Sequence, residues 1–247
     1  MICRTLLFAA LIAGPAAFAQ PLPRYDISRA AGRIKIDGKL DEGAWRRAPS
    51  AGDFHFNWWT AGEKEQTVAK ILWDDKNLYV GYRCADKHIA AEVVKRHGPV
   101  SLDDAVEIFI SPNPSKLRNY YGFEMNVIGT ELNFIRADWY KGPFLTEPAG
   151  VRLATSHQGV TVKRDAPEDD HWILEVAIPL KIFANDAAHT PPRDGDTWRL
   201  NLNRAGGKTN AQYSTWAPVK TEKPNFHVPE AFGEARFVKR TPPKTPR

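Results

Sequence analysis

Among its 247 residues the chain has only two cysteines, Cys3 and Cys84, and two methionines, Met1 and Met125. Cys3 falls in a short apolar leader, so Cys84 is left without an intramolecular partner and stability must come from a buried core. Apolar runs are short as well, and none approaches the ~20 residues that span a bilayer. The run from Leu6 to Ala13, preceded by Arg4 and followed by Ala17-Phe18-Ala19 before Gln20, reads as a secretory signal peptide cleaved after Ala19. The expected protein is secreted or periplasmic. No cysteine stands at the cleavage point to carry a lipid, so no membrane anchor is expected after cleavage.

Charge of one sign is also missing as a block. The net charge is +5, with bases scattered among acids, and no one-sided basic stripe suggests nucleic acid. His55, His88, His97, His157, His171, His189 and His227 are dispersed, without the His-Glu-x-x-His or Cys-x-x-Cys spacing that organises zinc. No Ser-His-Asp, Cys-His or phosphate-loop pattern stands out. No cofactor or metal is expected. Calcium is the one ion the composition leaves open, through acidic loop residues such as Asp74, Asp75, Asp169 and Asp170.

What the chain does have is alternation. Segments 68–73, 78–84, 105–110, 121–127, 131–135, 151–156, 159–164, 172–178 and 198–203 alternate apolar and polar residues between Gly, Pro, Asn and Asp turns, the pattern of half-buried strands. Ile34-Lys35-Ile36 before Asp37-Gly38 reads as a further strand, Asp41 as the cap of a short helix holding Ala44 and Trp45, and residues 179–184 as a second small helix. Many short strands and almost no helix predict an all-β fold, an antiparallel β-sandwich. The expected organisation is a leader at 1–19, a lead-in at 20–32, one sandwich domain at 33–238 and a loose basic, proline-rich tail at 239–247.

Period two places Val106, Ile108 and Ile110 on one face and Glu107 on the other. Phe123, Met125 and Val127 likewise oppose Glu124 and Asn126. One face makes core, and the other presents fixed hydrogen-bonding groups of the kind sugar hydroxyls need. Flat aromatic rings are the second requirement, because they pack against the C–H faces of a pyranose. Trp58, Trp59, Trp139, Trp216 and Phe226 lie in loop-like surroundings, whereas Trp45, Trp73, Trp172 and Trp198 sit within regular segments and belong in the core. Asp103, Asp104, Glu107 and Glu124 are also candidates for an acid and base pair in glycoside cleavage, which needs carboxyls ~5–9.5 Å apart.

Taken together, several segments resemble the family 9 carbohydrate-binding modules. The resemblance runs from Ile36-Asp37-Gly38-Lys39-Leu40-Asp41-Glu42-Gly43-Ala44-Trp45 through Ile71-Leu72-Trp73-Asp74-Asp75-Lys76-Asn77-Leu78-Tyr79-Val80 and Asp104-Ala105-Val106-Glu107-Ile108-Phe109-Ile110. It continues at Phe123-Glu124-Met125-Asn126 with Gly129-Thr130 and ends at Asn225-Phe226-His227-Val228-Pro229-Glu230-Ala231-Phe232-Gly233. It implies a jelly-roll-like, DOMON-like sandwich that binds sugars, with Glu107 and Asn126 at polar binding positions. Well-known members clamp a glycan end between two tryptophans. Those positions fall near Ser101 and Phe226 here, and Glu124 stands where those members have an arginine. A looser, stand-alone secreted branch with the Phe-His-x-Pro-Glu-x-Phe-Gly ending is the better likeness. A related sandwich group binds haem, but alternation puts Met125 in the core, away from an axial position.

The expected function is non-catalytic binding of an oligo- or polysaccharide in support of polysaccharide catabolism. The expected ligand-binding residues are Glu107, Asn126, Asp104, Glu124, Arg204, Trp216, Phe226, His227 and Trp139. A glycoside hydrolase on the same face and an envelope protein that binds another protein are the alternatives.

Overall fold

The computed structural model describes residues 21–136, 150–157, 170–208 and 210–239. In chain order the strands are β1 (Arg24–Arg29), β2 (Thr67–Trp73), β3 (Asn77–Ala85), β4 (Asp104–Ser111), β5 (Tyr120–Asn126), β6 (Glu131–Arg136), β7 (Arg152–Ser156), β8 (His171–Pro179), β9 (Thr197–Gly206), β10 (Tyr213–Thr215) and β11 (Gly233–Val238). A five-residue helix, α1 (Gly43–Arg47), and short 3₁₀ turns, including Leu180–Phe183, complete the regular structure. Among the described residues no helix is long and apolar enough to cross a membrane.

The strands form one curled sheet in the order β6-β5-β4-β9-β11-β1-β2-β3-β8-β7, with β10 paired to β9. The expected all-β sandwich is what folds. Pairing is antiparallel except around β1, which runs parallel to both β11 and β2. β1 lies in the stretch read from sequence as a lead-in, and it joins the two halves of the sheet. The segment Ile34 to Ile36 is not a strand, and α1 is flanked by Glu42 rather than capped by Asp41. The expected strand at 159–164 lies outside the described residues.

The halves β6-β5-β4-β9 and β2-β3-β8-β7 close on a shared core. Val106, Ile108 and Ile110 of β4, Phe123 and Met125 of β5, and Leu200 and Leu202 of β9 meet Val80, Tyr82 and Cys84 of β3 and Leu174, Val176 and Ile178 of β8. These are the apolar sets that alternation predicts, since facing sheets bury alternate residues of each strand. The Tyr82 hydroxyl crosses the core and donates to the backbone oxygen of Glu107 at 2.9 Å, so β4 is pinned from behind.

The Asp-Gly motif near the start has a structural explanation. Trp45 of α1 donates from its indole N–H to Glu175 Oε1 at 2.9 Å, and the backbone N–H groups of Asp37 and Gly38 donate to Oε2 at 3.1 and 3.3 Å. Gly38 is required there, with φ +78° and a would-be Cβ 2.7 Å from the Thr155 carbonyl carbon.

A second apolar cluster lies on the outer side of β4 and β5, where Phe109, Tyr120, Phe134, Phe226 and Phe232 pack together. Gly122 makes room for it, since a Cβ at that position would fall 2.0 Å from the Phe134 ring. Gly122→Ala is expected to cost about 1–3 kcal/mol of stability through overpacking. Urea denaturation checks this, with a lowered midpoint and little change in slope expected.

Candidate functional site

The outer face of β4, β5 and β9 carries a row of side chains fixed by strand register. Glu107 pairs directly with Glu124 on one side and with Asn203 on the other. The row continues to Leu132 on β6 and Thr215 on β10. Glu107 and Glu124 form the floor of an open cleft of about 520 Å³. Its walls come from Ser101 and Leu102 before β4, Tyr213 of β10, and the segment Pro224 to His227.

The Phe-His-x-Pro-Glu-x-Phe-Gly ending is the scaffold of one wall. Asn225 Oδ1 accepts from the His227 backbone N–H at 2.9 Å and turns the chain. Phe232 is buried, and Arg199 holds the segment by donating to the Phe232 and Glu230 carbonyls at 2.7 and 3.1 Å. Gly233 lets Trp216 approach, since a Cβ there would lie 2.5 Å from the indole. Phe226 is thereby held against Trp58 and Tyr213, at ring centroid distances of 5.9 and 6.0 Å. His227 stacks on Phe109 at 4.8 Å and its Nδ1 meets the Tyr120 hydroxyl at 2.8 Å.

Of the residues expected to bind ligand, Glu107, Glu124, Phe226 and His227 line this cleft together. Asn126, Asp104, Arg204 and Trp216 lie elsewhere. Asn126 is buried and fully engaged, donating to Val93 O and Asp103 Oδ2, both at 2.9 Å, and accepting from Thr130 N at 2.7 Å. Asp103 also accepts from the Glu92 and Val93 amides, so Asn126 fixes the chain leading to Ser101 and Leu102 rather than facing a ligand. Arg204 and Asp104 point to the core side, because they sit one residue out of phase with Asn203 and Glu107. There Arg204 pairs with Asp86 at 2.8 Å and Asp104 at 3.5 Å and lies over the Trp172 ring.

Trp216 is a core residue, donating to Ala51 O at 2.8 Å and meeting Tyr25 edge-on. Trp139 lies outside the described residues. Trp58 backs Phe226 and donates to Thr221 O at 2.8 Å, and Trp59 is exposed with Lys64 over its ring. Of the acids considered for calcium, Asp74 accepts from Lys76 N, Asn77 N and the Tyr79 hydroxyl, Asp75 pairs with Arg29, and Asp170 with Arg83. Asp169 lies outside the described residues.

Tyr213 and Asn203 were not picked out by sequence reasoning. Tyr213 and Thr215 alternate outward while Ser214 points in, so the aromatic at the cleft is Tyr213 and the neighbouring Trp216 is the one that turns inward. Asn203 was legible in principle as the outward neighbour of Arg204.

Electrostatics marks the floor. Burial, and then the neighbouring Glu124 charge, push Glu107 well above the ordinary carboxyl range. Burial also pushes Glu124 up to about 7, against the pull of the Arg136 guanidinium. Asp104 and Glu175 are likewise raised to about 7, chiefly by burial. His227 moves the other way, lowered to about 4 by burial and by Arg136.

These shifts set the pH dependence of folding. Carboxyls with raised pKa values bind protons on folding, so their contribution falls as pH rises from about 4 through about 7. His227 opposes them, losing stability as pH falls from about 6.5 towards 4. Four carboxyls outweigh one imidazole. Urea midpoints are expected to decline between pH 5 and 7, and Glu124→Gln is expected to flatten that decline.

Comparison with known proteins gives the family. The profile of carbohydrate-binding family 9 matches residues 54–237, which is most of the chain, and the chain belongs to that family. Its sequence is 29% identical over 168 residues to the exoglucanase XynX of Acetivibrio thermocellus, covering 66% of this chain but 14% of that protein. A Bacteroides uniformis protein described as a candidate carbohydrate-binding protein superposes with TM-score 0.72 at 21% identity, covering 87% of this chain and 99% of that one. A family 9 module of Caldicellulosiruptor kristjanssonii in complex with cellotriose superposes with TM-score 0.62 at 17% identity, covering 91% and 98%. A family 9 module of the same organism in complex with glucose gives TM-score 0.59 at 17% identity, covering 90% and 100%.

Proposed function

We propose that this chain is a secreted, non-catalytic carbohydrate-binding protein that takes a glycan into the cleft over Glu107 and Glu124, in support of polysaccharide breakdown. One observation carries the reading: two buried carboxyls at the base of an open cleft whose wall holds the rings of Phe226 and Tyr213. Carboxyls orient hydroxyl or amine donors, and the ring faces accept the apolar side of a pyranose. Family membership supports the ligand class, as do the cellotriose and glucose complexes of family 9 modules from Caldicellulosiruptor kristjanssonii.

The same geometry favours binding over cleavage. Glycoside hydrolysis places its two carboxyls on either flank of the scissile bond. Glu107 and Glu124 are direct cross-strand partners, with Cβ atoms about 5 Å apart, and rise from one floor to meet a ligand from the same side. Asp103 and Asp104, the other acids of the β4 region, are engaged by backbone amides and by Arg204.

A broad glycan array tests the proposal with the protein lacking residues 1–19, beside a folded Glu107→Ala variant. Signal on a glycan class that the variant loses is the expected result. Silence on plant, microbial and host glycans would sink it and leave a sandwich that serves a protein partner. Export is checked separately by mass spectrometry of the exported protein, with an N-terminus at Gln20 expected.

A further inference from the structure

The floor of the cleft is rich in acceptors. Glu107 and Glu124 are 2% and 6% exposed, and Glu107 Oε2 is buried with no hydrogen-bond partner among the described residues. Beside Glu107, Asn203 is fully buried, its amide N–H side acts on Glu107, and its amide oxygen has no partner among the described residues. A neutral polyol is best met by donors and acceptors in balance, because each hydroxyl both donates and accepts. Two adjacent carboxyls that share one proton instead offer more acceptors than donors, and directly opposed like charges destabilise a strand pair unless a proton or a cation lies between them.

We propose that the group recognised at this floor is a primary ammonium, carried on an amine-bearing pyranose such as a 2-amino-2-deoxy sugar and seated between the carboxylates of Glu107 and Glu124. The proposal rests on the carbohydrate reading above. An ammonium has three N–H donors and no acceptor, which suits a floor of acceptors, and its bonds to carboxylates are charge-assisted. Cross-strand partners about 5 Å apart at Cβ can both reach one nitrogen, and the Asn203 amide oxygen stands next in the row for a third bond.

Other charged and titratable groups face the floor as well, and Arg136, a cation that already acts on Glu124, opposes a second cation there. Arg136 on β6 acts on Glu124 and His227, and His227 itself is held neutral near pH 7. Tyr213 adds a phenol to the wall. With no ligand the two carboxyls retain a proton near neutrality, and a seated ammonium draws both into the ionised form. One proton then leaves to solvent as the ligand binds.

Isothermal titration calorimetry tests the assignment with fully deacetylated glucosamine oligomers, their N-acetylated counterparts and cello-oligomers of equal length. Each is run with a chelator present and in two buffers of different ionisation enthalpy. The amine-bearing oligomer is expected to bind about tenfold to a hundredfold more tightly than the cello-oligomer, with proton release. Acetylation should erase the gain, and Glu124→Gln should bring the ratio of affinities close to one. The net charge of +5 works against unspecific attraction of a polycation. Equal affinity for amine-bearing and neutral oligomers overturns the ammonium assignment and leaves the carbohydrate reading standing. A preference that appears only when calcium replaces the chelator also overturns it. Binding of no oligomer by protein with native circular dichroism overturns both.

Discussion

Replacing Arg204 with alanine is expected to lower the free energy of unfolding by about 3–5 kcal/mol, the largest single effect in the molecule. Arg204 is completely buried, pairs with Asp86 and Asp104 at 2.8 and 3.5 Å, and lies 4.9 Å from the centre of the Trp172 ring. Removing the guanidinium leaves two acids, both about 2% exposed, without their cation. Asp86 also accepts from the Trp172 indole at 3.1 Å, so the loss spreads to the packing between β8 and β9. Arg204→Lys should recover only part, because an ammonium cannot reproduce the planar fork. Urea denaturation gives the answer, and a loss under about 1 kcal/mol would contradict the account. Glycan affinity of the folded Arg204→Lys variant should stay near the parent value, since residue 204 faces away from the cleft.

The second large effect concerns ligand. Phe226→Ala is expected to weaken glycan binding roughly 30-fold or more, as for a buried aromatic at the centre of a contact. The ring is held by Trp58 and Tyr213, so it is a rigid wall that loses little entropy on binding. Truncation also opens a space in the outer cluster of Phe109, Tyr120, Phe134 and Phe232 and will cost stability. Phe226→Leu separates the two effects, because it keeps most of the apolar volume and removes the flat face. Most of the affinity should be lost in Phe226→Leu with only a small change in the urea midpoint. Parent-like affinity in that variant would remove Phe226 from the site.

Period two made much of the fold legible. Val106, Ile108 and Ile110 or Leu78, Val80, Tyr82 and Cys84 can be buried together only on one face of a strand, and they are. The misses share a cause. β1, β10 and β11 are short strands, three to six residues long, and β1 and β11 join the sheet through partners far away in sequence, which a local pattern does not reveal. Ile34 to Ile36 has the composition of a strand, but Ile34 packs with Trp45 and Tyr79 on the outside of the sheet without joining a ladder.

Site residues divided along a similar line. Alternation placed Glu107 and Glu124 on the polar face, and the cleft is built over them. Asn126 shares that face, yet it lies at the strand end, where the turn to Thr130 and the chain around Asp103 consume its hydrogen bonds. Arg204 and Asp104 stand among the expected ligand-binding residues, although the parity that puts Val106 in the core puts Asp104 there too. Trp216 has loop-like neighbours in sequence, and tertiary packing against Tyr25 and Gly233 overrides that local composition.

The central claim is that glycan binds over Glu107 and Glu124. An NMR titration with the glycan class found on the array tests it most directly, following backbone amides of the full face. Shifts concentrated at Leu102, Glu107, Glu124, Tyr213 and Phe226 are the predicted result. Shifts centred instead on the other cleft of about 520 Å³, around Lys76, Arg152 and Lys181, with the Glu107 region silent, would contradict it.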